Sequence, residues 1–203
     1  MRDGLYLVTP DLADTARLLA ISGAAIQGGA RILQYRNKTA DEALRHEQAR
    51  ALRELTRALD CVFIVNDSLA LALAAEADGV HLGRDDGDVS EVRRASGGRL
   101  LTGVSCYGDF ERARAAHQAG ADYVAFGAMY ASPTKPAAPP APLALVGRAR
   151  RELGARVACI GGITADNARP LVEAGANWLA VITDIYQSGD PGAQAARFAA
   201  LYA

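Results

Sequence analysis

No uninterrupted apolar run in the chain exceeds seven residues (69–75), against the roughly 20 that a helix needs to cross a bilayer. A membrane-spanning protein is excluded on that ground. Charge of one sign is also lacking: 22 Lys and Arg nearly cancel 23 Asp and Glu, leaving a net charge of −1. No chain-wide field exists to draw in a nucleic acid backbone or an acidic membrane, so any anion site must be local. Cysteine is scarce. The three present (Cys61, Cys106, Cys159) are far apart, sit in apolar segments and show no C-x-x-C spacing, which argues against a disulfide framework or a zinc site and for buried thiols. The first residues, Met1-Arg2-Asp3-Gly4 and a short apolar burst ending at Pro10, lack the long apolar core and cleavage site of a signal peptide. The expectation is a cytoplasmic protein.

What is present is a globular composition over 203 residues, 50% hydrophobic and 22% charged, enough for a sizeable core in one domain. Short β-branched or aromatic runs recur at 5–9, 32–36, 62–66, 79–82, 101–105, 123–127, 157–160 and 178–183. Between them lie stretches of helical spacing at 14–27, 40–59, 68–75, 89–95, 110–119, 143–153, 165–174 and 193–202. Strands alternating with helices read as repeated βα units. Eight units of about 25 residues each match a five-residue strand, a ten-residue helix and two short loops. The expected fold is a single compact (β/α)8 barrel over residues 1–203, with an open doubly wound sheet as the alternative that periodicity leaves standing.

One connection breaks the rhythm. Residues 128–142 carry five prolines, Pro133, Pro136, Pro139, Pro140 and Pro142, and no apolar period; proline removes donors and fixes φ, so a loop is expected there. A loop of that length in so economical a chain points to function.

In a parallel barrel the C-terminal strand ends open onto one mouth, so the polar residues there are the candidates. The second strand delivers Gln34, Arg36 and Lys38 on one face, with Tyr35 on the other. An amide, a guanidinium and an ammonium in succession suit a polyanion, which Arg grips through a planar fork and Lys meets as a point charge; the equally simple alternative is two long side chains snorkelling at a loop. The third strand ends Asn66-Asp67 and the fourth runs into Asp85-Asp86. Carboxylates from neighbouring strands suit Mg²⁺, which takes one or two of them and completes its shell with water and phosphate oxygens. Against this, Asp67 also stands where a helix N-cap belongs, and Asp85-Asp86-Gly87 also reads as a turn. Gly161-Gly162, with a helix expected to begin near Thr164, reads as a phosphate cradle, and Thr183 at the eighth strand end lies where barrel enzymes often hold a substrate phosphate. His46 and His117 fall in polar helical stretches, and His81, between Val80 and Leu82, reads as a packed side chain. No Ser/His/Asp or Cys/His spacing argues for a nucleophile.

Taken in order, Tyr6-Leu7-Val8-Thr9, Gln34-Tyr35-Arg36-Asn37-Lys38, Val65-Asn66-Asp67, the stretch from Gly79 to Asp86, Gly103-Val104-Ser105, Ser132-Pro133-Thr134-Lys135 and Ile160-Gly161-Gly162-Ile163 resemble the thiamine-phosphate synthase family through nearly the whole chain. The resemblance implies a (β/α)8 barrel that joins 4-amino-2-methyl-5-hydroxymethylpyrimidine diphosphate to 4-methyl-5-(2-phosphoethyl)thiazole, with release of pyrophosphate by a dissociative alkyl transfer. It implies that Gln34, Arg36, Lys38, Asn66 and Lys135 hold the diphosphate, with Arg36, Lys38 and Lys135 as the catalytic cations. It further implies that Asp67 and Asp86 ligate Mg²⁺, that Ser105 lines the pyrimidine pocket, and that Ser132, Thr134, Gly162 and Thr183 contact the thiazole phosphate. The partners so implied are small molecules, with no nucleic acid and no membrane; no oligomeric state follows.

The chain departs from the family pattern at Arg84 (usually Gln), Tyr35 (usually Leu), Asn37 (usually an acid), Ser132 (often Thr) and Thr183-Asp184 (usually Ser-Ala). Two other functions fit the same barrel. A thiazole tautomerase-like isomerase has no diphosphate to neutralise, and a non-catalytic phosphate-ligand-binding regulator needs affinity but no paired carboxylates beside a lysine loop.

Overall fold

The computed structural model describes residues 1–131 and 140–203; Ser132, Thr134 and Lys135 lie outside the described residues. Eight strands, β1 (Gly4–Val8), β2 (Ile32–Tyr35), β3 (Val62–Asn66), β4 (Gly79–Leu82), β5 (Leu101–Tyr107), β6 (Tyr123–Phe126), β7 (Val157–Ile160) and β8 (Trp178–Val181), pair in sequence order. All pairings are parallel and β8 returns to β1 through Gly4↔Trp178 to Leu7↔Val181, closing the barrel. The doubly wound alternative is excluded by that closure.

The helices are α1 (Thr15–Gln27), α2 (Glu42–Ala58), α3 (Leu69–Ala74), α4 (Val89–Ser96), α5 (Phe110–Gln118), α6 (Ala144–Leu153), α7 (Arg169–Glu173), α8 (Thr183–Tyr186) and α9 (Pro191–Ala199). Side-chain caps start many of them: Asp14, Asp41, Ser68, Asp88, Asp109 and Asp190 each accept a bond from a first-turn amide, satisfying donors that have no partner within the helix. No helix among the described residues is long and apolar enough to cross a membrane.

Two expectations at the barrel mouth are corrected. Residues 164–168 form a turn in which Thr164 N donates to Asn167 Oδ1 (2.9 Å) and Asn167 Nδ2 to the Gly162 carbonyl (2.9 Å); α7 starts only at Arg169, where Pro170 sits in the first turn. The Asn side chain competes for the backbone and delays the helix. The eighth strand ends at Val181, and Thr183 is the first residue of a short extra helix, α8.

Two apolar layers result. The larger lies between strands and helices, built from residues such as Leu5, Leu33, Phe63, Val65, Val124, Phe126 and Leu179. The smaller fills the barrel: Tyr6, Val8, Ile32, Ile64, Tyr123, Ala125, Ala158, Trp178 and Ala180. Side chains alternate across each strand, so Tyr6, Gln34, His81, Ser105 and Tyr123 share the interior side with these residues. Trp178 closes the N-terminal end, its indole N–H on the Arg2 carbonyl (2.9 Å) and the Arg156 guanidinium 4.3 Å from its ring centre. All three cysteines are buried and free, as expected.

Candidate active site

The ends of β1 and β2 are tied together. Thr9 Oγ1 donates to the Arg36 carbonyl (2.7 Å) and accepts from the Arg36 amide (2.8 Å). In the loop after β1, Asp11 Oδ1 accepts from the Lys38 amide (2.6 Å) and from Arg36 Nη1 (3.1 Å). Arg36 is three-quarters covered, so the guanidinium is organised by Asp11 and does not simply snorkel. Lys38 is 60% exposed and its Nζ stands 3.7 Å from Asp67 Oδ2, which brings the second and third strand ends to one place. Asp11 has no sequence signal beyond being a loop acid, and sequence reasoning misses it.

Asp67 sits at φ +62°, a left-handed conformation that Asp tolerates better than most residues and that is found at sites where geometry matters more than ease. The bland role is taken by its neighbour: Ser68, not Asp67, caps α3. Asp88, in turn, caps α4, and Asp85 is exposed while Asp86 turns inward to accept from the Gly83 amide (2.9 Å). Asp67 and Asp86 therefore face one another. Burial, and then the adjacent Asp86 carboxylate, hold the Asp67 carboxyl above its ordinary range, and Lys38 acts in the opposite sense. A carboxyl whose ionisation is opposed by burial and by a facing carboxylate belongs to a donor set that a divalent cation relieves. Among the described residues there is no cluster of three or more His, Cys, Asp or Glu at metal-binding distance; the set is a pair, as a hard cation that keeps water and substrate oxygens requires.

Deeper in the barrel, Gln34 Nε2 donates to Tyr6 Oη (2.7 Å), Tyr6 Oη meets Tyr123 Oη (2.7 Å), and His81 bridges Tyr123 Oη (3.0 Å, Nδ1) and Ser105 Oγ (2.9 Å, Nε2). His81 is satisfied, as the sequence implies, but its partners were not legible there. Burial lowers its pKa to about 4, so the imidazole is neutral at neutral pH. Asn66 closes β3 beside this chain at half-buried depth.

Arg112 of α5 ties two strand ends, Nε to the Ser105 carbonyl (2.7 Å) and Nη2 to the Gly83 carbonyl (2.8 Å). Arg84, the departure beside the acid pair, is exposed and stacks its guanidinium 5.1 Å from the Tyr107 ring centre. On the outer face, Tyr35 Oη (3.0 Å) and Asn37 Nδ2 (3.1 Å) both donate to Gln48 Oε1, whose Nε2 donates to the Leu12 carbonyl (2.9 Å). Those two departures thus form one network that braces the loop holding Asp11.

On the opposite side of the mouth, Gly162 has φ +64°, and a Cβ there would lie 2.5 Å from the Ala131 carbonyl oxygen; only glycine fits both demands. Asp184 of α8 accepts from the Ala165 amide (3.1 Å) and from Gln194 Nε2 (2.6 Å). Asp184 is thereby a strut joining the loop after β7 to α8 and α9, and it brings Gly162 and the exposed Thr183 to one rim. Arg36, Lys38, Asp67 and Asp86 gather on the other, with Gln34 and Ser105 in the hydrogen-bonded chain deeper in the barrel.

A parallel eight-stranded barrel whose mouth carries cations, a facing acid pair and a glycine loop belongs to the class of barrel enzymes that handle phosphorylated small molecules. The comparisons narrow the class. The family described as thiamine monophosphate synthase matches residues 5–185, and the chain belongs to that family. It is 54% identical over 199 residues to the thiamine-phosphate synthase of Aromatoleum aromaticum (98% of this chain, 96% of the relative) and 53% identical over 193 residues to that of Chromobacterium violaceum (95% and 93%). The thiamine phosphate pyrophosphorylase structure from Pyrococcus furiosus superposes with a TM-score of 0.88 at 30% identity, covering 98% of this chain and 95% of that one. A 3-hexulose-6-phosphate synthase at 22% identity and TM-score 0.74 shares the barrel fold.

Proposed function

We propose that the chain, as one barrel domain over residues 1–203, is a cytoplasmic thiamine-phosphate synthase that joins 4-amino-2-methyl-5-hydroxymethylpyrimidine diphosphate to 4-methyl-5-(2-phosphoethyl)thiazole with release of pyrophosphate. The observation that carries this reading is the meeting of Arg36 and Lys38 with the Asp67–Asp86 pair at one strand-end cluster. Gln34, Arg36, Lys38 and Asn66, with Lys135 from the proline-rich loop, hold the diphosphate. Asp67 and Asp86 fit Mg²⁺, which when bound supplies positive charge against the diphosphate.

The step breaks the bond from the pyrimidine methylene carbon to the diphosphate oxygen, and the thiazole nitrogen lone pair then forms the new C–N bond. Arg36, Lys38 and Lys135 stabilise the charge that grows on the leaving group, a contribution that needs no general base. Ser105 lines the pyrimidine pocket. Ser132, Thr134, Gly162 and Thr183 hold the thiazole phosphate, and water must be kept from the methylene cation while it lives. A tautomerase-like isomerase has no leaving diphosphate for this acid and cation set to serve, and a binding-only regulator has no use for the acid pair.

The test is pyrophosphate release measured with both substrates, with each alone, and with divalent metal chelated. Release that needs both substrates and the metal is expected. Tight binding of either substrate without release overturns the reading in favour of a regulator.

A further inference from the structure

Five side chains, Gln34, Tyr6, Tyr123, His81 and Ser105, run in a hydrogen-bonded line from the diphosphate end of the site to the pyrimidine pocket as read above, and each has a limited number of protons to place. Gln34 is buried and gives an amide hydrogen to Tyr6 Oη. Tyr6 is 1% exposed, and its other side-chain partner is Tyr123 Oη. A phenol has one proton, so Tyr6, already accepting from Gln34, places its own on Tyr123. Tyr123, likewise 1% exposed and now accepting, has His81 Nδ1 as the remaining partner for its proton among the described residues. A neutral imidazole carries one N–H; with Nδ1 accepting, that N–H is at Nε2 and points to Ser105 Oγ. The Ser105 oxygen then accepts, and its own hydrogen is left over for the barrel mouth. Burial keeps both phenols protonated and the imidazole uncharged, so no ionisation interrupts the sequence.

The arrangement is built for the purpose. Gly103 of β5 opens the space that the Tyr123 ring occupies, since a Cβ there would lie 2.0 Å from Tyr123 Cζ. Tyr123 stands edge-on to Tyr6 (6.0 Å between centres) and to Trp178 (5.5 Å), a geometry aromatic pairs favour, and its hydroxyl is held between Tyr6 and His81.

We propose that Tyr6 and Tyr123 are positioning residues that transmit the orientation of the Gln34 amide to the His81 tautomer and so fix Ser105 as a hydrogen-bond donor toward the ligand. The group read by Ser105 is then an acceptor, such as a ring nitrogen of an aminopyrimidine, and an analogue presenting an N–H there meets a donor. This specificity claim rests on the function proposed above; the proton order does not.

The decisive measurement is nitrogen NMR of ¹⁵N-histidine-labelled, ligand-free protein, with His81 assigned by its loss in His81→Asn. Unprotonated Nδ1 and protonated Nε2 are expected in the parent between pH 6 and 8. In Tyr123→Phe the lock on Nδ1 is gone, and in Tyr6→Phe the Tyr123 hydroxyl is free to donate or accept, so the second tautomer appears in both. In the same variants the KM for the pyrimidine diphosphate rises about tenfold, the worth of one ordered hydrogen bond, and the KM for the thiazole phosphate changes less than twofold. Nδ1–H in the parent, or folded variants that keep one tautomer and the parent KM, overturns the proposal. Absence of pyrophosphate release by the parent overturns the functional reading instead, and leaves the tautomer measurement to decide the proton order.

Discussion

Asp11 Oδ1 lies 3.1 Å from Arg36 Nη1 and at the same time accepts the Lys38 amide at 2.6 Å, so a single carboxylate oxygen sets the course of the segment that carries both cations. Asp11→Ala removes that anchor without removing a cation. The KM for the pyrimidine diphosphate is expected to rise about tenfold, equivalent to about 1.4 kcal/mol, while the KM for the thiazole phosphate stays within twofold. Steady-state kinetics with each substrate varied checks this, and equal rises in both would show that Asp11 supports the whole mouth rather than this segment.

The facing carboxylates predict a pH-dependent response to metal. The Asp67 carboxyl is held above its ordinary range by burial and then by Asp86, so in metal-free protein its contribution favours the folded state at low pH and is lost as pH rises through the raised value. Mg²⁺ needs the ionised form and stabilises what it binds. Melting curves should therefore show a larger Mg²⁺-induced rise in Tm at pH 8 than at pH 5. Asp67→Asn, which keeps a side chain suited to φ +62°, should abolish that rise and, by removing one of two like charges, leave the metal-free protein at least as stable as the parent. An undiminished Mg²⁺ effect in the variant would place the cation elsewhere.

His81 makes the opposite prediction in acid. Its folded value of about 4 lies below the ordinary 6.5. The unfolded chain thus takes up the proton first, and the stability present above pH 6.5 declines as pH falls towards 4. The full effect is on the order of 3 kcal/mol. Tyr123, Ser105 and Asp86 are the groups that act on the ring. Urea unfolding of the parent and of His81→Asn at pH 7 and 4.5 isolates the term: the variant should be weaker at pH 7 and lose less on acidification.

How far the sequence reveals this molecule differs by kind of feature. The strands are legible because each β-branched run is flanked by an Ala-rich amphipathic stretch. Their ends are less so: the runs at 5–9, 32–36 and 123–127 reach one residue past β1, β2 and β6, that at 101–105 stops two short of β5, and that at 178–183 overruns β8 by two, since 182–186 continues its β-branched and aromatic character and a four-residue helix such as α8 shows no period to contradict it. The late start of α7 has its signal in Pro170, since proline belongs in a first turn, and in Asn167, whose side chain holds the preceding turn. The acid pair is legible as a pair, because its members end neighbouring strands, but a cap reading of Asp67 and a turn reading of Asp86 compete with it in the sequence; Ser68 and Asp88 taking the caps frees Asp67 and Asp86. The interior hydrogen-bond chain was hidden because Tyr6 and Tyr123 look like core aromatics; the available signal was that polar tips occupy inward positions on five strands at once.

The fit between Gly103 and Tyr123 gives the sharpest test of that interior. A methyl group at Gly103 would lie 2.0 Å from Tyr123 Cζ and 2.3 Å from its hydroxyl oxygen, in a ring pinned by two aromatic neighbours and two hydrogen bonds. Overpacking of a well-filled core costs about 1–3 kcal/mol, and displacing the ring also breaks bonds in a buried chain, each worth about 1 kcal/mol. Gly103→Ala should therefore lower stability by roughly 3–5 kcal/mol. Tyr123→Phe shortens the side chain only by the hydroxyl and leaves Cζ in the way, so it cannot relieve the clash, whereas Tyr123→Leu removes the ring. The double variant Gly103→Ala, Tyr123→Leu should be more stable than the sum of its single changes allows, by at least about 1 kcal/mol, the mark of two groups competing for one space. Strict additivity in chemical denaturation would mean that the barrel yields at Gly103 by backbone movement, and that the ring is not what the glycine accommodates.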